Sequence, residues 1–439
     1  MRLRSFLDAT GLDDDSISPG LHRLVLPAVV LLTLAVLGGG CAGEPAWDQQ
    51  DAAAIYERYQ DVNIDYFFDA PPDAPTAHPL YRGLKAKIDG RLGDAERHLE
   101  AATGAVPDSL HSFVHERLLE INERVSDWDD VVDYRSRTDT SFSSDSPAAQ
   151  VIAQRPVPNV KMASDTLTVP FDGFRVKGLI NGIDRSIPVM LDTGAPGTGV
   201  RLPRAFVERY DLPIDTTVAV GRSIVPALGI DAPSYETQID SIRIGEATIR
   251  DVHATVTWAR TGDSGGDGLG EIFLDAGLLR FLFDEIRYNY ADSTFAMIRE
   301  VPDREVSPNF SIMSDGWPIV RAQADGKPMA GIIDTGNGWV SRLFASSFPP
   351  SEYEQVGTRT GTFPEKYGGS EWSVPYYRVP LRFPGNLQRD EMVIRGSIDK
   401  PYRLEANFGQ DLWTEGTLVL DYKNRRAYYE GPSTSDETN

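Results

Sequence analysis

The sequence predicts a multidomain chain in which an all-α region of helical hairpins is followed by a mainly-β region made of two similar lobes. Three observations carry this reading. Residues 47–138 hold Ala, Leu, Glu and Arg at helical spacing with few β-branched runs. From Leu167 to Glu430, short Val, Ile, Leu and Tyr runs alternate with Gly, Pro, Asn and Asp, the pattern of an antiparallel β domain. Within that stretch the same succession of parts occurs twice. The resulting division is 1–41 export segment, 47–138 helices, 139–164 linker, 165–300 first lobe, 301–431 second lobe and 432–439 loose tail.

With 439 residues the chain is long enough for several domains. Its net charge of −22 gives a polyphosphate a repulsive average field, so nucleic acid is not an expected partner. Cys41 is the one cysteine, which excludes an intramolecular disulfide and a cysteine-based zinc site. Among the six histidines only His111 and His115 have helical i, i+4 spacing. No motif acid lies near them, so they read as solvated helix residues and no metal is expected.

The first element is the stretch from Leu24 to Leu37, free of charge and, at 14 residues, too short to span a bilayer. It reads as a signal peptide. Gly38-Gly39-Gly40-Cys41 follows at once and resembles the lipobox of bacterial lipoproteins, with Leu37 four places before the cysteine rather than three. The resemblance implies lipid on Cys41 and a place in the bacterial cell envelope. An ordinary cleaved signal with an incidental cysteine is the alternative, and both readings export the mature chain.

In the helical region, Gly93-Asp94-Ala95-Glu96 and Ser126-Asp127-Trp128-Asp129 start 33 residues apart, each behind an amphipathic stretch. This is similar to the second-helix entry of tetratricopeptide repeats, whose period is about 34 residues. A plain pair of helical hairpins fits equally well. A docking surface for a partner and a simple spacer are the corresponding roles. Residues 139–164 then shift to Ser, Asp, Pro and Ala, which predicts a linker.

The repeat in the β region carries the chemistry. The first copy runs Gly173-Phe174-Arg175-Val176, an Asn181-Gly182 turn, then Val189-Met190-Leu191-Asp192-Thr193-Gly194-Ala195. The second runs Gly316-Trp317-Pro318-Ile319-Val320, an Asp325-Gly326 turn, then Gly331-Ile332-Ile333-Asp334-Thr335-Gly336-Asn337. Both turns have the chemistry of two-residue type I′ hairpins. Each copy closes on a related strand, Tyr288-Asn289-Tyr290 in the first and Leu420-Asp421-Tyr422 in the second. One Asp-Thr-Gly arises by chance in roughly one chain in ten of this size. An Asx turn explains one such copy, but it does not explain why both keep the threonine.

The two Asp-Thr-Gly units resemble those of the aspartic peptidases, and the short lobes are similar to retropepsin lobes fused in one chain. The resemblance covers about Leu167 to Glu430. It implies a monomeric two-lobed catalytic domain, a polypeptide substrate, and no cofactor or metal. It also implies that Asp192 and Asp334 are the catalytic pair, with Thr193 and Thr335 interlocking the loops and Gly194 and Gly336 at the tight turns. The family's apolar-apolar-Gly segment beneath each loop matches Asn407-Phe408-Gly409 in the second lobe. In the first lobe Gly268-Leu269-Gly270 and Phe273-Leu274-Asp275 compete for that place. The Asn337 amide is expected to bond the outer oxygen of Asp334. Flap hairpins are expected over Thr217 to Tyr235 and Thr358 to Trp372, the second with Tyr367 beside Gly368-Gly369.

Two carboxyls held close in a partly desolvated cleft share one proton, so one acts as base and the other as acid. A water between them then attacks a peptide carbonyl without metal or covalent intermediate. The expected function is therefore an aspartic endopeptidase. A non-catalytic peptide-binding or scaffold lipoprotein on the same fold is the alternative. A serine or metal hydrolase is poorly supported, because the β region holds only His253 and has neither a Gly-x-Ser-x-Gly nor a His-Glu-x-x-His motif.

Overall fold

A computed structural model describes residues 48–173, 175–183, 185–195, 197–225, 230–257, 272–312, 317–338, 340–362, 371–396 and 404–431. The expected export segment with Cys41, the expected tail, Gly268-Leu269-Gly270 and Tyr367-Gly368-Gly369 lie outside the described residues.

Helices Pro79–Ile88 and Leu92–Thr103 pack as one hairpin, and His111–Val125 and Trp128–Thr138 as the next. Their starts follow from local chemistry. Pro79 opens the first behind His78, whose Nδ1 accepts from Leu80 N at 3.1 Å, and the Asp127 carboxylate accepts from Asp130 N. Gln49–Gln60 and Ile64–Phe68 complete a core of Tyr59, Phe67, Leu84, Leu99, Phe113 and Leu118. The hairpins fit either reading of this region, and the tetratricopeptide likeness gains nothing further from them. Among the described residues no helix is long and apolar enough to cross a membrane.

The predicted linker is partly helical. Ser146 caps Pro147–Ala153, accepting from Ala149 N at 3.1 Å, and Ala149 and Ile152 are buried on Trp128, Val131 and Val132. Two apolar residues three apart make a sufficient face when a neighbouring helix already presents its own.

The β region forms two eight-stranded sheets and a five-stranded sheet. In the first lobe, strand Ile187–Asp192 lies between its antiparallel partner Arg175–Ile180 and a parallel strand, Ile272–Asp275. In the second, Lys327–Ile333 lies between Pro318–Ala324 and the parallel strand Ala406–Phe408. The lobe sheets are therefore mixed rather than antiparallel throughout. Each Asp strand ends in a loop over a supporting strand that returns from far along the chain, and such a return permits parallel pairing. The five-stranded sheet joins the lobes, with Glu285–Asn289 pairing antiparallel with Thr417–Asp421.

The Asp325-Gly326 turn is the expected two-residue hairpin, with φ of 52° and 72° between paired Ala324 and Lys327. Asn181-Gly182 has the same conformation, φ 48° and 68°, but sits inside a longer loop. Ser241 draws it aside, since Asn181 N donates to Ser241 O at 2.9 Å and Ser241 N to Asn181 Oδ1 at 3.1 Å.

The helical region is built onto both lobes. Trp317, Ile319, Ile332, Phe344 and Leu404 of the second lobe are buried in the helical core, while the alternating Val320 and Ile333 face the β core. Toward the first lobe, Arg155 pairs with Glu236, and Arg135 Nη2 donates to Val220 O at 2.8 Å. Trp128 meets His253 edge-on at 5.1 Å.

Burial, and secondarily Arg155, pushes His253 down to about 3. A folded-state value below the ordinary one gives stability that is complete above that ordinary value of 6.5 and is lost as pH falls toward about 3. Each pH unit in that window removes about 1.4 kcal/mol. Denaturant titrations at pH 6.5 and two units lower are expected to show a loss smaller by roughly 2 kcal/mol in His253→Gln than in the parent. Equal losses would contradict this assignment.

Candidate active site

The second Asp strand stays on its supporting strand to its last residue, Asp334 N donating to Phe408 O at 2.9 Å, and the loop then turns on the bond from Asn337 N to Asp334 O at 3.0 Å. In the first lobe the supporting strand is Ile272–Asp275, in register Met190 with Phe273, Leu191 with Leu274 and Asp192 with Asp275. This decides for Phe273-Leu274-Asp275 as the first-lobe segment. Asp275 thus stands at the place Gly409 holds in the second lobe.

The two loops lock together through their threonines. Thr193 N donates to Thr335 Oγ1 and Thr335 N to Thr193 Oγ1, both at 3.0 Å. Each hydroxyl then donates across the lobe boundary, Thr193 to Ile333 O at 2.8 Å and Thr335 to Leu191 O at 2.9 Å. Both threonines are fully buried, so these four bonds satisfy groups that water does not reach. Serine has the same hydroxyl, while valine would leave two buried backbone groups unpaired.

The grip sets the carboxylates side by side. Asp192 Oδ1 accepts from Gly194 N at 2.8 Å and from Gly336 N, in the opposite loop, at 3.1 Å. A Cβ on Gly336 would lie 2.4 Å from three atoms of Asp192, and one on Gly194 would lie 2.4 Å from Asp334 Oδ1. Each glycine is thus required by the other lobe's carboxylate rather than by a turn conformation of its own. Burial first, then the charge of Asp334, pushes the Asp192 carboxyl up to about 7, against the Gly194 and Gly336 N–H groups and Arg201.

The Asn337 side chain does not reach Asp334 as expected. Its backbone N donates to Asp334 Oδ1 at 3.0 Å, while its amide donates to Val340 O at 3.0 Å and Asn407 Oδ1 at 2.7 Å. The outer oxygen, Asp334 Oδ2, accepts instead from Asn407 Nδ2 at 2.9 Å. The signal for Asn407 was a polar residue where the segment's pattern asks for an apolar one.

Sequence reasoning also missed two arginines. Arg201 pairs in register with Phe273, and Arg342 with Asn407, so they occupy matching places in the two lobes. Arg201 Nε lies 2.9 Å from Asp275 Oδ1. Burial pushes Asp275 up to about 6 despite Arg201, and pushes Arg342 down to about 10 despite Asp334. Their signal in the sequence was a cation in the strand following each Asp loop.

Both expected flaps are hairpins. Gly221–Val225 pairs with the start of Ile230–Ile244, and Gln355–Thr362 with Glu371–Arg382, both tips lying outside the described residues. Arg359 of the second hairpin stands 3.6 Å from Asp411, which holds Ser341 N at 2.7 Å beside the Asp334 loop. His111 and His115 sit with ring centroids 6.4 Å apart, and among the described residues no three His, Cys, Asp or Glu side chains group as metal ligands.

Residues 176–270 match a family model described as aspartyl protease. That stretch of the first lobe, with its Asp192-Thr193-Gly194 loop, is thus similar to an aspartyl protease. Solved structures similar to this chain include a retropepsin-like aspartic protease from Rickettsia conorii, 16% identical over 32% of this chain and 93% of that one, with a TM-score of 0.23. Basic 7S globulin from soybean is 9% identical over 60% and 94%, with a TM-score of 0.35. An aspartic proteinase from Irpex lacteus is 13% identical over 62% and 99%, with a TM-score of 0.37. No curated protein matches the chain at a significant level.

Proposed function

We propose that the protein is an aspartic endopeptidase that hydrolyses peptide bonds with a water activated between Asp192 and Asp334. One observation carries the reading: the reciprocal Thr193 and Thr335 bonds hold two carboxylates across a lobe boundary so closely that neither loop glycine has room for a Cβ. Like charges so held, in a partly desolvated cleft, favour one proton on the pair. The ionised member takes a proton from water, the water oxygen bonds to the peptide carbon, and the protonated member gives its proton to the carbonyl oxygen. Collapse of the tetrahedral adduct breaks the C–N bond, with a proton passing to the departing nitrogen. An extended substrate strand would lie between the two hairpins and take main-chain hydrogen bonds from them. Incubating the full chain with a mixed peptide library across acid and neutral pH tests the proposal. Internal cleavage is expected, whereas binding of peptides without any cleavage would favour the non-catalytic scaffold.

We further propose export to the bacterial cell envelope with lipid on Cys41, on the strength of the apolar Leu24 to Leu37 stretch ahead of the single cysteine. Cys41→Ser is expected to move the protein from the membrane fraction to the soluble one. Unchanged membrane fractionation would contradict the anchor.

A further inference from the structure

We infer that Asn407, oriented by Asn337, is a positioning residue that makes the two aspartates unequal, holding Asp334 as the ionised carboxylate and leaving the shared proton on Asp192. The inference rests on the peptidase reading above and assigns the roles within it.

The orientation of the amides follows from what surrounds them. The Val340 carbonyl can only accept, so the Asn337 side chain must turn its NH2 toward Val340 O, at 3.0 Å. The same NH2 lies 2.7 Å from Asn407, which therefore presents its Oδ1 there. Asn407 is then left with its own NH2 facing Asp334 Oδ2 at 2.9 Å. Asn407 is only 3% exposed, so this bond is how its NH2 is satisfied. An NH2 donates and never accepts, so Asp334 Oδ2 must offer a lone pair. With Asn337 N on Oδ1 at 3.0 Å, each oxygen of Asp334 has a donor, and donors to a carboxylate favour its charged form.

The first lobe is built differently. Among the described residues the donors to Asp192 are Gly194 N and Gly336 N, and both fall on Oδ1. The second oxygen is left to carry a proton. Pairing register explains why no amide reaches it, since Phe273 opposes Met190 where Asn407 opposes Ile332. Ala195 likewise follows Gly194 where Asn337 follows Gly336. The charged groups are matched, Arg201 facing Asp192 and Arg342 facing Asp334 with Tyr290 near both, whereas the amide pair exists on one side only, and that side is the base.

In the resulting sequence Asp334 removes a proton from the attacking water as its oxygen bonds to the peptide carbon. Asp192 protonates the carbonyl oxygen. On collapse Asp334 passes its proton to the departing nitrogen, and Asp192 recovers one from the adduct's hydroxyl, which restores the starting state.

Asn407→Leu, which gives the second lobe an apolar residue like that of the first, and Asn337→Ala test this in the full chain. Removing a donor from the charged form is expected to move the acid limb of kcat/KM upward by about one pH unit in Asn407→Leu, roughly a tenfold loss on the acid side. KM is expected to stay nearly constant. Asn337→Ala should shift the limb the same way by less, because it acts only through the orientation of Asn407. Should Asn407→Leu fail to fold, the Asn337→Ala profile still decides. An unmoved acid limb in a folded variant that cleaves would overturn the inference. A second readout does not need turnover: in a 13C-carboxyl titration of the wild-type chain, the Asp334 carbon should ionise at lower pH than that of Asp192. The reverse order would overturn the inference, whereas a wild-type chain that titrates in this order but cleaves nothing would sink only the peptidase reading.

Discussion

Asparagine at either Asp192 or Asp334 is expected to lower kcat/KM by about a thousandfold or more, within the range that positioned acid and base groups contribute. Each substitution keeps the shape of the side chain and the backbone bonds around it, so the Thr193 and Thr335 grip should survive. What is lost is the proton count. An amide cannot take a proton from water in place of Asp334, nor supply one to the carbonyl in place of Asp192. The same variants make a prediction of opposite sign for stability. Because burial and the neighbouring charge raise Asp192 to about 7, its contribution is full below the ordinary carboxylate value and is lost as pH rises through about 7. Removing one carboxylate relieves that loss. Asp192→Asn should therefore be more stable than the parent above neutral pH, by at most about 4 kcal/mol, with no such gain in acid. A variant that is inactive and also less stable at every pH would show that the aspartate serves the fold.

The second large effect is expected on removing the helices. A chain starting near Asn159 would expose Trp317, Ile319, Ile332, Phe344 and Leu404, all now buried against the helical core. At about 1.5–3 kcal/mol for each fully buried side chain, the loss rivals the entire net stability of about 5–15 kcal/mol of an ordinary protein. Strands Pro318–Ala324 and Lys327–Ile333, the second of which leads into Asp334, would then have one wet apolar face. Such a fragment should aggregate or bind a hydrophobic dye, and a soluble fragment with an unchanged, cooperative melt would contradict the role given to the helices. Peptidase assays therefore call for the full chain.

The loops were legible because their chemistry is local. Asp-Thr-Gly twice over, each behind an apolar strand and a Gly-containing turn, is a short-range pattern that a sequence carries openly. What escaped was set by pairing between distant segments. Nothing near Phe273 or Asn407 tells that the strands Ile272–Asp275 and Ala406–Phe408 return beside the Asp strands, or in which register. Hence Asn337, adjacent in sequence, was expected to make the bond that Asn407 makes. The mixed sheets escaped for the same reason, since parallel neighbours have no signature in a single short run. Pro147–Ala153 was missed because its two buried residues form a face only against Trp128 and its neighbours. The second lobe's close fit to the helices was written in Gly331-Ile332-Ile333, a run without alternation, which marks a strand buried on both faces.

The pH dependence of kcat/KM for the full chain, followed from about pH 3 to about pH 9 on one cleaved peptide, tests the shared proton most directly. A bell is expected with its descending limb near 7, where the Asp192 proton is lost. A rate that still climbs above about pH 8 would contradict it, because no acid would then remain on the pair.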